Sequence, residues 1–256
     1  MKPAAAIAAC AVVAACASAA GPSLAPTPDG YLGEAGIARL ATTLPIPISD
    51  GRAPSPPVEP GTDRWWLAIA HAELRPPEAA QHFDCALGTR LAARPRPALQ
   101  RLMTRLLADA DALTREAATA RGPVARPIAV DPELQPCQRV TPEVRNSPSW
   151  PAGGAVVGTL YGEAFAALAP DRAEQVRRIG REIGVSRVVC RMNGPRDVWT
   201  GELGGRELFD LVSDAPEFRA DLEAARAEVA TARAESVTSP SCAAERRALG
   251  LRPDAD

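Results

Sequence analysis

Apolar residues recur at helical spacing along most of this chain, and no run of useful length alternates apolar with polar positions. The strongest stripe lies in residues 97–120, where Leu99, Leu102, Met103, Leu106, Leu107, Ala110 and Leu113 share one face. That i, i+3, i+4, i+7 pattern predicts a helix turned toward a core, ended by Gly122-Pro123. Residues 155–169 are apolar on most sides, as expected of a helix in the middle of a bundle. Asp171 and Glu174 have the spacing of a capping box, which opens a further helix with Val176, Ile179 and Ile183 inward. Residues 203–212 continue helical after Asp197, and Pro216 starts an amphipathic helix carrying Phe218, Leu222, Ala225 and Val229. Upstream, residues 63–74 place Trp66, Ile69 and Ala70 near one face, and Ala80, Phe83, Ala86, Leu87 and Leu91 follow Pro76-Pro77 at helical spacing. The expected fold is all-α, a single-domain helical bundle over residues 61–235 without internal repeats.

Proline marks where this pattern stops. Of 26 prolines, Pro45, Pro47, Pro54, Pro56 and Pro57 exclude a long helix between residues 21 and 60. Residues 20–60 are therefore expected to form an extended, Pro-rich arm, residues 127–150 a loop, and residues 236–256 a C-terminal tail. Residues 1–19 read as a signal peptide: Lys2 precedes an Ala/Val-rich run too short for a good membrane span. Ala17-Ser18-Ala19 suits cleavage before Ala20, whereas Val13-Ala14-Ala15-Cys16 resembles a lipoprotein box that would lipidate Cys16. A periplasmic or secreted soluble protein is expected, with the lipoprotein as the alternative and membrane contact only through that lipid. Cys85, Cys137, Cys190 and Cys242 remain after the leader, enough for two disulfides with three open connectivities. Their spacing fits neither a zinc site nor a CxxC motif, and no metal or cofactor is expected.

Composition narrows the function. Hydrophobic residues make up 46% of the chain and aromatics 4%, so the core is built from Ala, Leu and Val, which suit close-packed helices. A net charge of −2 with both signs interleaved leaves no basic face for nucleic acid. Lys2 is the one lysine, so no lysine-dependent chemistry operates in a mature chain.

Candidate chemistry concentrates in residues 148–198. Ser149-Trp150-Pro151-Ala152-Gly153-Gly154 is a turn of small residues opening the apolar helix, and such a turn aims backbone N–H groups and a helix N-terminus at one spot. Arg187 and Asp197 lie ten residues apart around a short hydrophobic segment, with Arg191 and Arg196 nearby. Together they suggest an anion pocket. In the plainer reading, Asp197 is only a helix N-cap, the arginines pair with acidic neighbours, and His71 packs beside Trp65 and Trp66.

The order of these elements resembles the bacterial class A (non-specific) acid phosphatases, within the phosphatidic acid phosphatase type 2 and vanadium haloperoxidase superfamily. That family's pattern is K-x6-R-P, then P-S-G-H, then S-R-x5-H-x3-D. Arg126-Pro127, Pro151-Ala152-Gly153-Gly154 and Ser186-Arg187…Asn193…Asp197 match the three elements at the same internal spacing, and Asp214 to Phe218 adds a weaker likeness. The similarity covers roughly residues 60–235. It implies an all-α bundle with a phosphate pocket, in which one His attacks phosphorus, the Asp orients that His, a second His protonates the leaving alcohol, and Lys, Arg and turn amides hold the phosphoryl oxygens.

The chain departs from this pattern where chemistry is decided. Asn193 stands at the nucleophile position and has no available lone pair on its amide nitrogen. Gly154 stands at the general-acid position, Thr119 at the lysine and Ala152 at the turn serine. The catalytic set is thus not intact; Gly154, Asn193, Asp197 and Thr119 are its vestigial positions. Arg126, Ala152, Gly153 and Arg187 are the candidates for holding a phosphate or phosphate-ester-like anion. The expected function is a catalytically impaired pseudo-phosphatase. Two alternatives are an active phosphomonoesterase with a rearranged site that recruits His71 or His82, and a structural or partner-binding envelope protein.

Overall fold

Helix α7 (Gly153–Leu168) is the axis on which the chain is built, with twelve of its sixteen residues buried. The computed structural model describes residues 29–45 and 58–251; the expected signal peptide and both processing sites lie outside them. Among the described residues every regular element is helical, as the periodicity predicted. Apart from short 3-10 turns, the elements preceding α7 are α1 (Glu34–Thr43), α2 (Asp63–Ala70), α3 (Asp84–Leu87), α4 (Pro97–Arg121), α5 (Pro127–Val130) and α6 (Pro142–Asn146). Those following it are α8 (Ala173–Val189), α9 (Pro195–Ser213), α10 (Pro216–Ala234) and α11 (Cys242–Ala248). None of the described helices is long and apolar enough to cross a membrane.

Helix α7 can sit centrally because its neighbours approach to backbone contact. A Cβ on Gly158 would lie 2.5 Å from the Gly180 carbonyl oxygen, and one on Gly180 would lie 2.5 Å from the Gly158 carbonyl oxygen. On the other side, Cβ atoms on Gly201 and Gly205 would fall 2.6 Å from the Ala152 and 2.7 Å from the Val156 carbonyl oxygens. Two glycine seams therefore clamp α7 between α8 and α9, and α7 packs most extensively against those two helices. Stacked Phe83 and Phe165, with ring centroids 4.3 Å apart, and the buried stripe of α4 complete the main core.

Four expectations need correction. Residues 20–60 are not wholly an extended arm: α1 lies within them, and Ile37, Leu40 and Ala41 are buried in the main core. The prolines that exclude a long helix all follow Thr43 and leave room for this ten-residue one. Asp109, buried on α4, draws the chain in by accepting from the backbone N–H groups of Tyr31 (2.7 Å) and Leu32 (3.1 Å). The loop before α7 contains two short helices, each begun by proline, where the missing N–H costs nothing. The Asp171 capping box does not form, because Asp171 lies in a 3-10 turn and binds Arg233.

The C-terminal tail is likewise anchored. Helix α11 is tied to α3 by the Cys85–Cys242 disulfide, and Arg247 reaches Asp63 at 2.9 Å. Cys242→Ser is expected to cost about 2–4 kcal/mol of stability, the usual value for a long-range crosslink. Calorimetry of wild type and variant under oxidising conditions checks this, and reducing agent abolishes the difference.

Candidate functional site

The N-terminus of α7, the loop after α8 and the first turn of α9 meet at Ser149. Its backbone N–H donates to the Val124 carbonyl (2.8 Å), and its hydroxyl donates to Asp197 Oδ2 (2.6 Å). Asp197 is fully buried at the third helical position of α9, where Oδ2 also accepts the Gly194 N–H at 2.8 Å. That carboxylate closes the helix start from inside, three positions after the N-cap, which is Gly194 and not Asp197 as considered from sequence. Its Oδ1 is buried without a partner.

Asn193, also buried, turns its amide Nδ2 to the Ser149 carbonyl at 2.5 Å. The side chain is a donor spent on backbone. Neither the amide geometry nor the residue type offers a nucleophile.

Arg187 projects from the last turn of α8 across Gly154. A Cβ built on Gly154 would stand 2.6 Å from Arg187 Cδ and 2.9 Å from its Cγ. The missing side chain at position 154 is therefore what admits the arginine stem. Beyond Gly154 the guanidinium donates to Gln138 Oε1 at 3.1 Å. Gln138 is held there by the Cys137–Cys190 disulfide, which joins its loop to the end of α8.

Arg126 enters from the start of α5. It donates to the Met192 carbonyl (2.8 Å), the Val144 carbonyl (3.1 Å) and the Ser147 hydroxyl (3.0 and 3.1 Å). All are neutral acceptors; among the described residues neither Arg126 nor Arg187 forms an ion pair. Burial, followed by repulsion from Arg126, pushes the Arg187 guanidinium down to about 10. Arg126 is also lowered by burial, with Asp197 opposing the shift. Both stay charged at neutral pH. Two half-buried cations against one carboxylate leave a local positive excess, which an anion would relieve.

Of the residues singled out by spacing, Arg126, Gly153, Gly154, Arg187, Asn193 and Asp197 are brought into this one cluster. Ala152 is there too, but its N–H donates to the Asp197 carbonyl at 3.0 Å, so it is not an anion donor as expected. Because the Ala155 N–H is already bonded to Ala152, the N–H groups of the first turn without a partner among the described residues belong to Gly153 and Gly154. Thr119 falls outside: it is exposed, and its hydroxyl bonds back to the Arg115 carbonyl at 2.9 Å. Helix α4 instead faces the turn with Thr114, whose side chain would lie 3.5 Å from a Gly153 Cβ; five residues later a helix has rotated by roughly 140°. Arg191 is directed elsewhere, over the Trp65 ring and to the Val58 carbonyl.

His71 and His82 do not join the cluster. They pair with each other, ring centroids 5.1 Å apart, and His71 Nδ1 lies 2.9 Å from Ser186 Oγ. Sequence reasoning placed Ser149 in the turn without a role and missed Gln138, which belongs to no recognisable pattern; both arrive through the pre-α7 loop.

No protein-family model matches the chain. It is similar to an acid phosphatase of Zymomonas mobilis subsp. mobilis, 31% identical over 169 residues that cover 65% of this chain and 62% of that protein. It is also similar to the non-specific acid phosphatases of Salmonella typhimurium, 25% identical over 166 residues (65% of this chain, 66% of that one), and Providencia stuartii, 24% identical over 165 residues (64% and 66%). The matched region thus spans less than two thirds of the length of these relatives.

Proposed function

We propose that this chain is an exported member of the bacterial class A acid phosphatase family that has lost phosphatase chemistry and keeps a phosphate-binding pocket. The observation that carries the reading is the pair of half-buried guanidinium groups, Arg126 and Arg187, beside the free amides of Gly153 and Gly154 with no carboxylate neutralising either arginine. Phosphate replaces Gln138 as the acceptor of Arg187 and takes the Gly153 and Gly154 N–H groups, a charge-assisted set stronger than the neutral bonds it displaces. Chemistry stops at binding. Asn193 has no lone pair to attack phosphorus, position 154 offers no proton, and the lysine position is a threonine on the surface. The unpartnered Oδ1 of Asp197 is what remains when position 193 no longer presents a ring N–H to be oriented. Two disulfides accord with export, because such crosslinks persist in oxidising compartments.

Thermal unfolding in phosphate or vanadate tests the pocket. At ten times its Kd, phosphate is expected to stabilise the fold by about 1.4 kcal/mol, a rise of roughly 3–5 °C in Tm for a domain of this size. Arg187→Gln is expected to abolish the rise. No shift at millimolar anion in the wild type would overturn the pocket. The names of the relatives favour a second reading, an active phosphomonoesterase with a rearranged site. Turnover of p-nitrophenyl phosphate between pH 4 and 8, lost in His71→Ala or His82→Ala, would establish that reading instead.

A further inference from the structure

A cavity of about 510 Å3 lies between α2, the 3-10 turn at Glu78–Phe83 and α11, apart from the arginine cluster. Among the described residues, its lining includes His71, His82, Glu78 and Glu245 but neither lysine nor arginine. Trp66 forms one rim. The indole is 60% exposed, and its Nε1–H is fixed on the Gly61 carbonyl at 3.1 Å.

Hydrogen bonds determine which way each imidazole presents its lone pair. Ser186 Oγ lies 2.8 Å from the Glu182 carbonyl, which only accepts, so the single hydroxyl proton goes there. Arg64 donates to the same Oγ at 2.9 Å. His71 Nδ1, also 2.9 Å from Oγ, must therefore be the donor of that contact, and a neutral His71 carries its lone pair on Nε2. That Nε2 is buried, in a side chain only 1% exposed, and has no partner. His82 Nε2 lies 2.7 Å from the Glu73 carbonyl and must donate to it, leaving the lone pair on Nδ1. Burial holds both histidines below their ordinary pKa, so both are neutral at pH 7. Neither Glu78 nor Glu245 forms an ion pair among the described residues. Burial and the nearby Asp84 charge push the Glu245 carboxyl up to about 7, with Arg246 opposing the shift.

The polar wall thus carries four carboxylates and two imidazoles, with Gln81 and Ser241 able to accept as well as donate, and the rest is Trp66, Leu67, Ala70 and Ala244. We propose that this cavity binds a primary organic ammonium ion. Its N–H donors engage the imidazole lone pairs and the Glu245 and Glu78 carboxylates, and its hydrocarbon body lies against Trp66, where a cation also gains from the ring face. This site is independent of the anion pocket and carries the opposite charge preference.

Isothermal titration of the oxidised protein at pH 7.5 with phenethylamine, against its neutral isostere 2-phenylethanol, tests the assignment. The amine is expected to bind at one site, at least about tenfold more tightly than the alcohol, since each lost charge-assisted bond is worth a factor of that order. Ala244→Trp fills the cavity from the exposed side of α11 without touching the core, and Glu245→Gln removes a carboxylate; each is expected to weaken the amine about tenfold or more. Phosphate-induced stabilisation is expected to be unchanged in both variants. Equal affinity for amine and alcohol, no heat up to about ten millimolar amine, or saturable Zn2+ uptake without amine binding would each overturn the proposal.

Discussion

Gly154→His with Asn193→His, the double substitution that returns both histidines, is expected to leave the protein at least about 10²-fold short of an active phosphatase, because general acid catalysis alone is worth roughly 10²–10⁴-fold. The obstacle is spatial before it is chemical. A Cβ at position 154 would stand 2.6 Å from Arg187 Cδ, so the new imidazole and the present arginine pose exclude one another. Either Arg187 withdraws and the proposed phosphate clamp is lost, or the imidazole is displaced from the line of proton transfer. At position 193 the new ring meets the Ser149 carbonyl, 2.5 Å from the present amide nitrogen, and must turn to reach Asp197 Oδ1. Thr119 and Ala152 still differ from the family pattern after both changes. Initial rates with p-nitrophenyl phosphate from pH 4 to 8 decide the matter, and rates typical of the family in the double variant would show that only two side chains had been missing.

Gly180→Ala is expected to lower stability by about 2–3 kcal/mol, at the upper end of what a single added methyl costs in a packed interior. Alanine is the better helix former by about 1 kcal/mol, and on an exposed helix face the substitution would stabilise. Here the methyl would lie 2.5 Å from the Gly158 carbonyl oxygen and 3.2 Å from Gly162 Cα. Those are backbone atoms, so no rotamer change relieves the clash; α7 and α8 must separate. For a chain of this length the loss corresponds to roughly 4–12 °C in Tm. Since α7 also presents the Gly153 and Gly154 amides, the variant is expected to bind phosphate more weakly at temperatures where it remains folded. An unchanged or raised Tm by calorimetry would mean that the α7–α8 crossing is looser than described.

The two substitutions also mark how far a linear reading reaches. Helix α4 was legible because its stripe is long, regular and closed by glycine, and it was observed one residue longer than expected. Helices α7 to α10 were legible for similar reasons, and α10 begins at Pro216 as expected; the cap of α8 was not, since the carboxylate read as capping it is taken instead by Arg233 from α10. Helices α1 and α11 were missed because each is short, lies in polar or Pro-rich sequence, and owes its position to partners far along the chain. Asp109 holds the segment before α1, and Cys85 holds α11. Their burial is tertiary, and local periodicity carries little of it.

At the candidate site, spacing located the cluster. Six of the eight residues chosen from the pattern converge, and a seventh is present with its amide already used. What could not be seen was direction. Position 154 read as a vacancy, and in the fold the stem of Arg187 occupies it. Position 193 read as an inert amide, and in the fold it is a donor that secures Ser149.

Taken by itself, the sequence determined the all-helical class, the bundle's main helices and which residues stand at the positions of the acid phosphatase pattern. These follow from side-chain chemistry and from a period of 3.6, both of which are local. Only the tertiary structure decided that glycines 158, 180, 201 and 205 bring α8 and α9 to backbone contact with α7, that Arg126 and Arg187 come close enough to repel, with neither in an ion pair among the described residues, and that His71 and His82 share a separate acidic cavity. Each of those depends on distances between residues 11 to 174 positions apart, and such distances are set by which faces pack together, not by any neighbour in the chain.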